Sequence, residues 1–129
     1  KVFNNGAMSR DFTYIDDITN GIFKCCSKPA TIFKDFDKSN PDPSTSIAPH
    51  RIFNIGNGSP VKLLYFIELL EKELGIKAIK EFKPMELGDL INTSASITSL
   101  NEWVDYKPMT NIEDGVKRFV RWYLEFYRN

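Results

Sequence analysis

Residues 9–18 read SRDFTYIDDI and combine one cation and three acids with alternating apolar side chains. The alternation predicts a short, half-buried strand over 11–15. A helix is predicted from about 17 to 27, with Asp16 or Asp17 capping it by accepting backbone N–H bonds. The segment therefore reads as a strand that runs directly into a helix, with charged side chains around the junction.

Arg10 stands at the start of this predicted strand. A guanidinium there presents a planar set of donors that matches phosphate oxygens two at a time. The alternative is a surface arginine that pairs with Asp11 or Asp16, an arrangement that contributes little to stability. The residues of this segment leave both interpretations open, so the rest of the chain has to decide between them.

Three further segments bear on that decision. Residues 51–61 (RIFNIGNGSPV) read as a strand, a tight turn and a helix start, residues 84–89 (PMELGD) as a polar loop, and residues 106–127 as a loop and the last helix. With residues 9–18, they resemble segments of NAD-dependent nucleotide-sugar epimerases of the extended short-chain dehydrogenase/reductase superfamily, most closely the UDP-glucuronate 4-epimerase type. The resemblance covers nearly the whole chain.

The resemblance implies a UDP-sugar site built from three side chains. Phe3 matches the aromatic residue that stacks on uracil, Arg10 the arginine that binds the diphosphate, and Asp89 the carboxylate that accepts hydrogen bonds from the ribose hydroxyls. Phe3 equally suits a core position, and Asp89 suits a turn. Glu86 departs from the family pattern, since relatives carry glutamine or arginine there, and it is expected to turn outward. No catalytic residue is carried over.

The residues that carry this family's chemistry are absent from the sequence. No tyrosine has a lysine four positions later, so there is no Tyr-x-x-x-Lys pair. The cluster at 56–58 (GNG) lacks the third glycine of a dinucleotide fingerprint and reads as a tight turn. We therefore expect residues 1–129 to be a C-terminal nucleotide-sugar-binding region whose N-terminal NAD-binding Rossmann half is missing. NAD is expected in the complete enzyme, and no cofactor is expected to bind this chain alone.

Charge and composition narrow the classes of function. Seventeen basic and seventeen acidic side chains cancel, so the electrostatic footprint of a nucleic-acid-binding or membrane-surface protein is missing. No apolar run reaches the length of a membrane span, and a cytoplasmic location is expected. Cys25 and Cys26 are adjacent, which disfavours a disulfide between them, and His50 is the single histidine. The sequence therefore offers no metal-ligand set.

The sequence predicts one mobile loop in the middle of the chain, with ordered helices and strands on both sides of it. Residues 28–50 are rich in proline, serine, aspartate and lysine, and are expected to form a mobile loop because they cannot bury enough apolar area to offset ordering. The elements predicted after it are a strand at 52–55, a helix over 60–74 between a Ser59 cap and a Gly75 stop, and a strand over 77–82.

Helical spacing predicts which faces are buried. The stripe predicted for the helix over 60–74 is Leu63, Phe66, Ile67, Leu70 and Leu74. A short helix follows Ser96, and Thr110 with Glu113 predicts a capping box that opens the last helix. The residues predicted to face inward there are Ile112, Val116, Phe119, Val120 and Tyr123. We interpret the aromatic cluster (Phe119, Trp122, Tyr123, Phe126 and Tyr127) as packing rather than as a base-stacking platform.

The predicted fold class is α/β. It is the substrate-binding region of an extended short-chain dehydrogenase, with an edge strand and helices of an otherwise missing Rossmann sheet. The strand at 52–55 would then lack parallel neighbours, and open strand edges favour pairing with another chain. A homodimer is therefore expected.

Three functions from different classes fit the sequence. The favoured one is the UDP-sugar-binding part of an NAD-dependent nucleotide-sugar 4-epimerase of the UDP-glucuronate type, inactive alone and responsible for positioning. The second is a fragment of a nucleotide-sugar dehydratase or decarboxylase. The third is a non-catalytic binding module that partners a separate cofactor-binding chain.

Overall fold

The computed structural model describes residues 1–127 and shows four helices with a two-stranded sheet. The helices are α1 (Ile15–Ser27), α2 (Leu63–Leu74), α3 (Thr98–Val104) and α4 (Ile112–Tyr127). The strands β1 (Ser9–Arg10) and β2 (Val61–Lys62) pair antiparallel, and Phe3–Gly6 forms a short 3-10 turn. No helix within residues 1–127 is both long and apolar enough to cross a membrane. The predicted α/β class is confirmed.

The strand of the opening motif is shorter than predicted and lies earlier. β1 pairs Ser9 with Lys62 and Arg10 with Val61, whereas residues 11–14 are outside any strand. The prediction of a strand over 11–15 is wrong because backbone-to-backbone pairing ends after Arg10. The Asp11 N–H donates to the side chain of Thr93, and the Asp11 carboxylate accepts N–H bonds from Gly58 and Ala95.

Helix α1 begins two residues earlier than predicted, and the predicted caps are wrong. Tyr14 is the capping residue and makes no side-chain bond, while Asp16 and Asp17 lie in the first turn. Negative charge is favoured there by the helix dipole. Asp17 is buried, and its carboxylate accepts N–H bonds from Met109 at 3.1 Å and Thr110 at 3.0 Å. It therefore joins α1 to the chain that enters α4.

The segment between α1 and β2 contains no helix or strand. A single bridge pairs Thr45 with Arg51. The prediction of a strand at 52–55 is wrong, because a strand needs a hydrogen-bonded neighbour and the sheet within residues 1–127 consists of β1 and β2 only. The mobility of residues 28–50 stays a prediction.

Strand β2 delays the start of α2. The predicted Ser59 cap is wrong, because β2 follows it, and the Leu63 N–H then donates to the Met8 carbonyl at 2.9 Å. The end of the helix is confirmed: Gly75 follows Leu74 with a φ of 69°, in the left-handed region that favours glycine.

The chain after α2 returns to the N-terminal residues. The strand predicted over 77–82 is reduced to a parallel bridge between Val2 and Phe82. The Val2 N–H donates to the Glu81 carbonyl at 2.8 Å, and the Lys83 N–H donates to the Val2 carbonyl at 2.9 Å. This pairing fixes where the loop that contains Asp89 begins.

One cluster of buried apolar side chains lies between α2 and α4. Leu69, Val116 and Val120 are buried, and the half-buried side chains packed against them are Phe66, Leu70, Ile112 and Leu124. The start of α4 is close to the predicted position, but the capping pair is shifted by one residue. Asn111 accepts the Asp114 N–H at 2.8 Å and donates to its carboxylate at 2.9 Å, a reciprocal arrangement like a capping box.

Some predicted inward faces are wrong. Leu69 lay outside the predicted stripe of α2, and Leu74 of that stripe is 36% exposed. Phe119 and Tyr123 of α4 are 47% and 43% exposed. The aromatic cluster of α4 does pack ring on ring, with centroids 5.8 Å apart for Phe119 and Trp122, but on an exposed surface. The face of α4 that packs against α2 covers only part of the apolar surface of the helix. The aromatic side chains lie outside this contact and stay exposed.

Glu71 forms an ionic cluster at the end of α2. Its buried carboxylate accepts hydrogen bonds from Lys80, from Lys77 at 2.9 Å and from the Ala78 N–H at 3.0 Å. The bonds from Lys80 and Lys77, followed by the bond from Ala78, lower the pKa of Glu71 from 4.5 to about 2. The cluster ties the helix to the segment that follows it.

A lowered carboxyl pKa makes stability depend on pH. The contribution of Glu71 is fully present above its unfolded pKa of 4.5 and is lost as the pH falls towards about 2. We expect the free energy of unfolding, measured with urea, to fall across this window, and to fall less in Glu71→Gln. Glu68→Gln, on an exposed part of the same helix, is the control and should follow the parent. Identical pH profiles for Glu71→Gln and the parent would contradict this role.

Candidate ligand-binding site

Arg10 and Asp89 form an ion pair although 79 positions separate them in sequence. The Arg10 Nη2 lies 2.8 Å from Asp89 Oδ1, and the two side chains are 25% and 34% exposed. The alternative pairing of Arg10 with a nearby acid is wrong. Asp11 bonds to backbone N–H groups, and Asp16 lies 3.5 Å from Arg118. The structure therefore brings together two of the three predicted site residues.

The guanidinium of Arg10 is only partly satisfied by the protein. Nη1 donates to the carbonyls of Ser9 at 3.0 Å and Ile91 at 3.3 Å, and Nη2 donates to Asp89. A guanidinium has five N–H donors, so Nε and one Nη2 hydrogen have no acceptor among residues 1–127. The side chain is held in place while two donors stay available for a ligand.

The carboxylate of Asp89 is also only partly satisfied by the protein. Oδ1 accepts both from Arg10 and from the Leu90 N–H, each at 2.8 Å. Within the described chain, Oδ2 accepts no hydrogen bond, and a carboxylate oxygen has lone pairs for two. The pair thus presents donors and an acceptor side by side on a half-exposed surface.

The loop before Asp89 fixes its position. The Asp89 N–H donates to the Glu86 carbonyl at 3.3 Å, and Gly88 has a φ of 86°, which a side chain would strain. The side chain of Glu86 is exposed. This agrees with the expectation that an acid at position 86 turns outward.

Phe3 lies in the 3-10 turn that leads into β1, and its side chain is half-exposed. Asn4 and Asn5 follow it with φ of 48° and 49°, a left-handed conformation in which asparagine is enriched. The Asn5 N–H donates to the Lys83 carbonyl at 3.0 Å. The turn is therefore anchored to the start of the loop that carries Asp89. The uracil-stacking role of Phe3 stays a prediction.

Two carboxylates of the segment 9–18 have roles that the sequence did not reveal. Asp11 accepts N–H bonds from Gly58, Ser59 and Ala95, and Asp17 accepts two from the chain before α4. Their donors are backbone groups of distant loops, and a backbone N–H leaves no signal in a sequence. Within residues 1–127, no group of His, Cys, Asp and Glu side chains is arranged to hold a metal ion.

The cavities of the described chain lie away from the ion pair. One of about 390 Å³ lies beside Glu71 and Lys80, whose charges pair with each other. An apolar one of about 300 Å³ is lined by Phe12, Tyr14, Phe66, Ile112 and Phe119 among others. It has no charged lining residue, so a diphosphate is not favoured there. A polar one of about 360 Å³ lies beside Asp11 and Thr93. The Arg10–Asp89 pair is the stronger candidate for an anionic ligand because it supplies unused N–H donors.

Comparisons with known proteins show what this chain is similar to. No family model matches the chain. It is 46% identical over 127 residues to protein CapI of Staphylococcus aureus and 39% identical over 131 residues to a probable UDP-glucuronate 4-epimerase of Rhizobium meliloti, each time covering 98% of the chain and 38% of the relative. A solved UDP-glucuronic acid 4-epimerase of Bacillus cereus, in complex with UDP-glucuronic acid and NAD, matches with a TM-score of 0.73 and 27% identity, over 98% of the chain and 35% of that protein.

These likenesses extend over nearly the whole chain. The chain is similar to the C-terminal portion of NAD-dependent nucleotide-sugar epimerases of the extended short-chain dehydrogenase/reductase superfamily. It spans a little over a third of the length of the relatives it matches.

Proposed function

We propose that this chain is the UDP-sugar-binding part of an NAD-dependent nucleotide-sugar 4-epimerase, and that its substrate is of the UDP-glucuronate type. The observation that carries the proposal is the partly satisfied Arg10–Asp89 pair. Support also comes from relatives and a solved structure that are described as UDP-glucuronate 4-epimerases.

The donors and the acceptor of the pair suit different parts of one nucleotide. The two remaining N–H donors of Arg10 match a diphosphate, for which charge-assisted bonds from a guanidinium are strong and directional. The unused Oδ2 of Asp89 suits a ribose hydroxyl, which can donate to a carboxylate. Phe3, in the anchored turn before β1, supplies a flat apolar face for uracil.

The described residues do not fit NAD. The glycine-containing turn at 56–58 leads into β2, and α2 starts only at Leu63, whereas NAD pyrophosphate binds where a glycine-rich turn opens directly into a helix. We therefore assign NAD to the part of the protein that this chain does not span. A cytoplasmic location and a homodimer belong to the same proposal.

In this proposal the chain contributes positioning to the reaction. Holding the UDP end of a substrate fixed gives the sugar a defined place to react, which lowers the entropic part of the barrier. Arg10 and Asp89 are binding residues under this assignment, and residues 1–127 carry out no proton transfer.

The proposal predicts that Arg10→Ala weakens UDP binding by about 1.5 to 3 kcal/mol, the value of a hydrogen bond to a charged group. This corresponds to roughly a 10- to 150-fold rise in Kd. The measurement is an NMR titration of the chain with UDP and, separately, with uridine. Because uridine lacks the diphosphate, its affinity should change little.

Arg118→Ala is the matched control, since it also breaks an arginine–aspartate ion pair but lies on α4. It should leave UDP affinity unchanged. Equal UDP affinities of Arg10→Ala and the parent would rule out the diphosphate role, and a parent chain that binds no UDP would overturn the proposed function.

A further inference from the structure

Asp11 bonds to the chain segments on both sides of β1. Its Oδ2 accepts the Gly58 N–H at 3.0 Å and the Ala95 N–H at 2.9 Å, and its Oδ1 accepts the Ser59 N–H at 3.3 Å. Residues 58 and 59 lead into β2, which is one neighbour of β1. Ala95 belongs to the segment that forms the other neighbour.

The second neighbour of β1, residues 89–95, also carries the ligand-binding carboxylate. The Ser9 N–H donates to the Ile91 carbonyl at 2.9 Å, and the Thr93 N–H donates to the Ser9 carbonyl at 3.2 Å. The Asp11 N–H then donates to Thr93 Oγ1 at 3.3 Å. Asp11 therefore contacts this segment through both its backbone and its side chain.

These contacts connect Asp11 to the geometry of the ion pair. Asp89 lies at one end of the 89–95 segment, and the Ala95 bond to Asp11 lies at the other. Between them, the Ile91 carbonyl accepts a hydrogen bond from Arg10. If the Ala95 end detaches, the carbonyl and the carboxylate that orient Arg10 lose part of their support.

We infer that Asp11 is a positioning residue for the nucleotide site, because its carboxylate fastens the 89–95 segment against β1 and so holds Asp89 beside Arg10. The inference rests on the proposed UDP-binding function for its ligand, but not for the docking of the segment. A carboxylate suits the role since it accepts three N–H bonds at once and its charge strengthens each of them.

The test compares Asp11→Asn with Asp17→Asn. Asp17 is a matched control: it lies in the same motif, is buried and also accepts backbone N–H bonds, but from the chain before α4. Both variants are expected to unfold at lower urea concentration than the parent. Only Asp11→Asn is expected to weaken UDP binding, by about tenfold in an NMR titration, as for the loss of one or two hydrogen bonds.

Hydrogen exchange of the Thr93 amide gives a second readout that does not depend on UDP. This amide donates to Ser9 and not to Asp11, so faster exchange reports that the segment has detached. We expect exchange about tenfold faster in Asp11→Asn, by loss of local protection, and at the parent rate in Asp17→Asn at low urea. Thr93→Val removes only the acceptor of the Asp11 N–H. It should weaken UDP binding and speed exchange of the amide at position 93, each by less than Asp11→Asn does. This variant replaces Asp11→Asn in the test if Asp11→Asn does not fold.

The two proposals fail in different ways. Parent-like UDP affinity and Thr93 exchange in Asp11→Asn, together with lower stability, would show a purely structural role and overturn the inference. Equal losses of UDP affinity in Asp11→Asn and Asp17→Asn would do the same. A parent that binds no UDP would overturn the proposed function, while Thr93 exchange would still decide whether Asp11 docks the segment.

Discussion

Tyr106→Ala is expected to lower the free energy of unfolding by about 3 to 5 kcal/mol, the cost of truncating a buried aromatic residue. Tyr106 is fully buried. Gly21 of α1 leaves room for its ring, since a Cβ at position 21 would come within 3.0 Å of it. Truncation leaves a cavity between α1 and the chain around Gly56, which cannot collapse without moving both. Urea unfolding of the parent and the variant measures the loss.

Tyr106→Phe separates the ring from the hydroxyl. The hydroxyl donates to the Gly56 carbonyl at 2.9 Å, and its loss is expected to cost about 0.5 to 1.5 kcal/mol. Burial, and then the negative charges of Asp17 and Asp11, raise the pKa of Tyr106. The phenol therefore stays neutral at physiological pH and keeps its proton for this bond. A Tyr106→Ala variant no less stable than Tyr106→Phe would contradict the packing role of the ring.

The helices could be predicted more reliably than the strands. Helical patterns placed α1, α3 and α4 near their observed positions, and Gly75 marked the end of α2, because these signals lie within the helix or directly beside it. The strand predictions were wrong for a physical reason, because a strand forms only where a second segment pairs with it. Residues 52–55 have a strand-like sequence but no pairing partner in the described chain, whereas Val61 and Lys62 pair with β1 despite a pattern that predicted helix.

Arg10 and Asp89 could be predicted as one site only through the resemblance to the epimerase family. Arg10 and Asp89 are far apart in sequence, and nothing in their local patterns links them. Family likeness selected both, and the structure shows them in contact. Asp11 was considered only as a partner for Arg10. Its real partners are backbone N–H groups of two loops, whose approach depends on how β2 and the 89–95 segment lie beside β1.

Gly56→Ala is expected to destabilise the chain by about 1 to 3 kcal/mol through overpacking. A Cβ at position 56 would lie 2.5 Å from the Cβ of Ala95 and 3.0 Å from Oδ2 of Asp11. A Cβ cannot rotate away from its own backbone, so the segment around Ala95 has to shift. That shift acts on the hydrogen bond between Ala95 and Asp11, and we therefore expect UDP affinity to fall together with stability.

Gly115→Ala is the matched control for this substitution. Gly115 is also buried, but a Cβ there meets its nearest atom, in the ring of Tyr14, at 3.4 Å, an ordinary contact. Because Gly115 lies inside α4, alanine should raise stability by about 0.5 to 1 kcal/mol through helix propensity. Urea unfolding and UDP titration of both variants test the argument. If Gly56→Ala is as stable as the parent, the loops beside Asp11 shift at little cost in free energy. Such loops could not hold Asp89 beside Arg10, and this result would contradict the positioning role of Asp11.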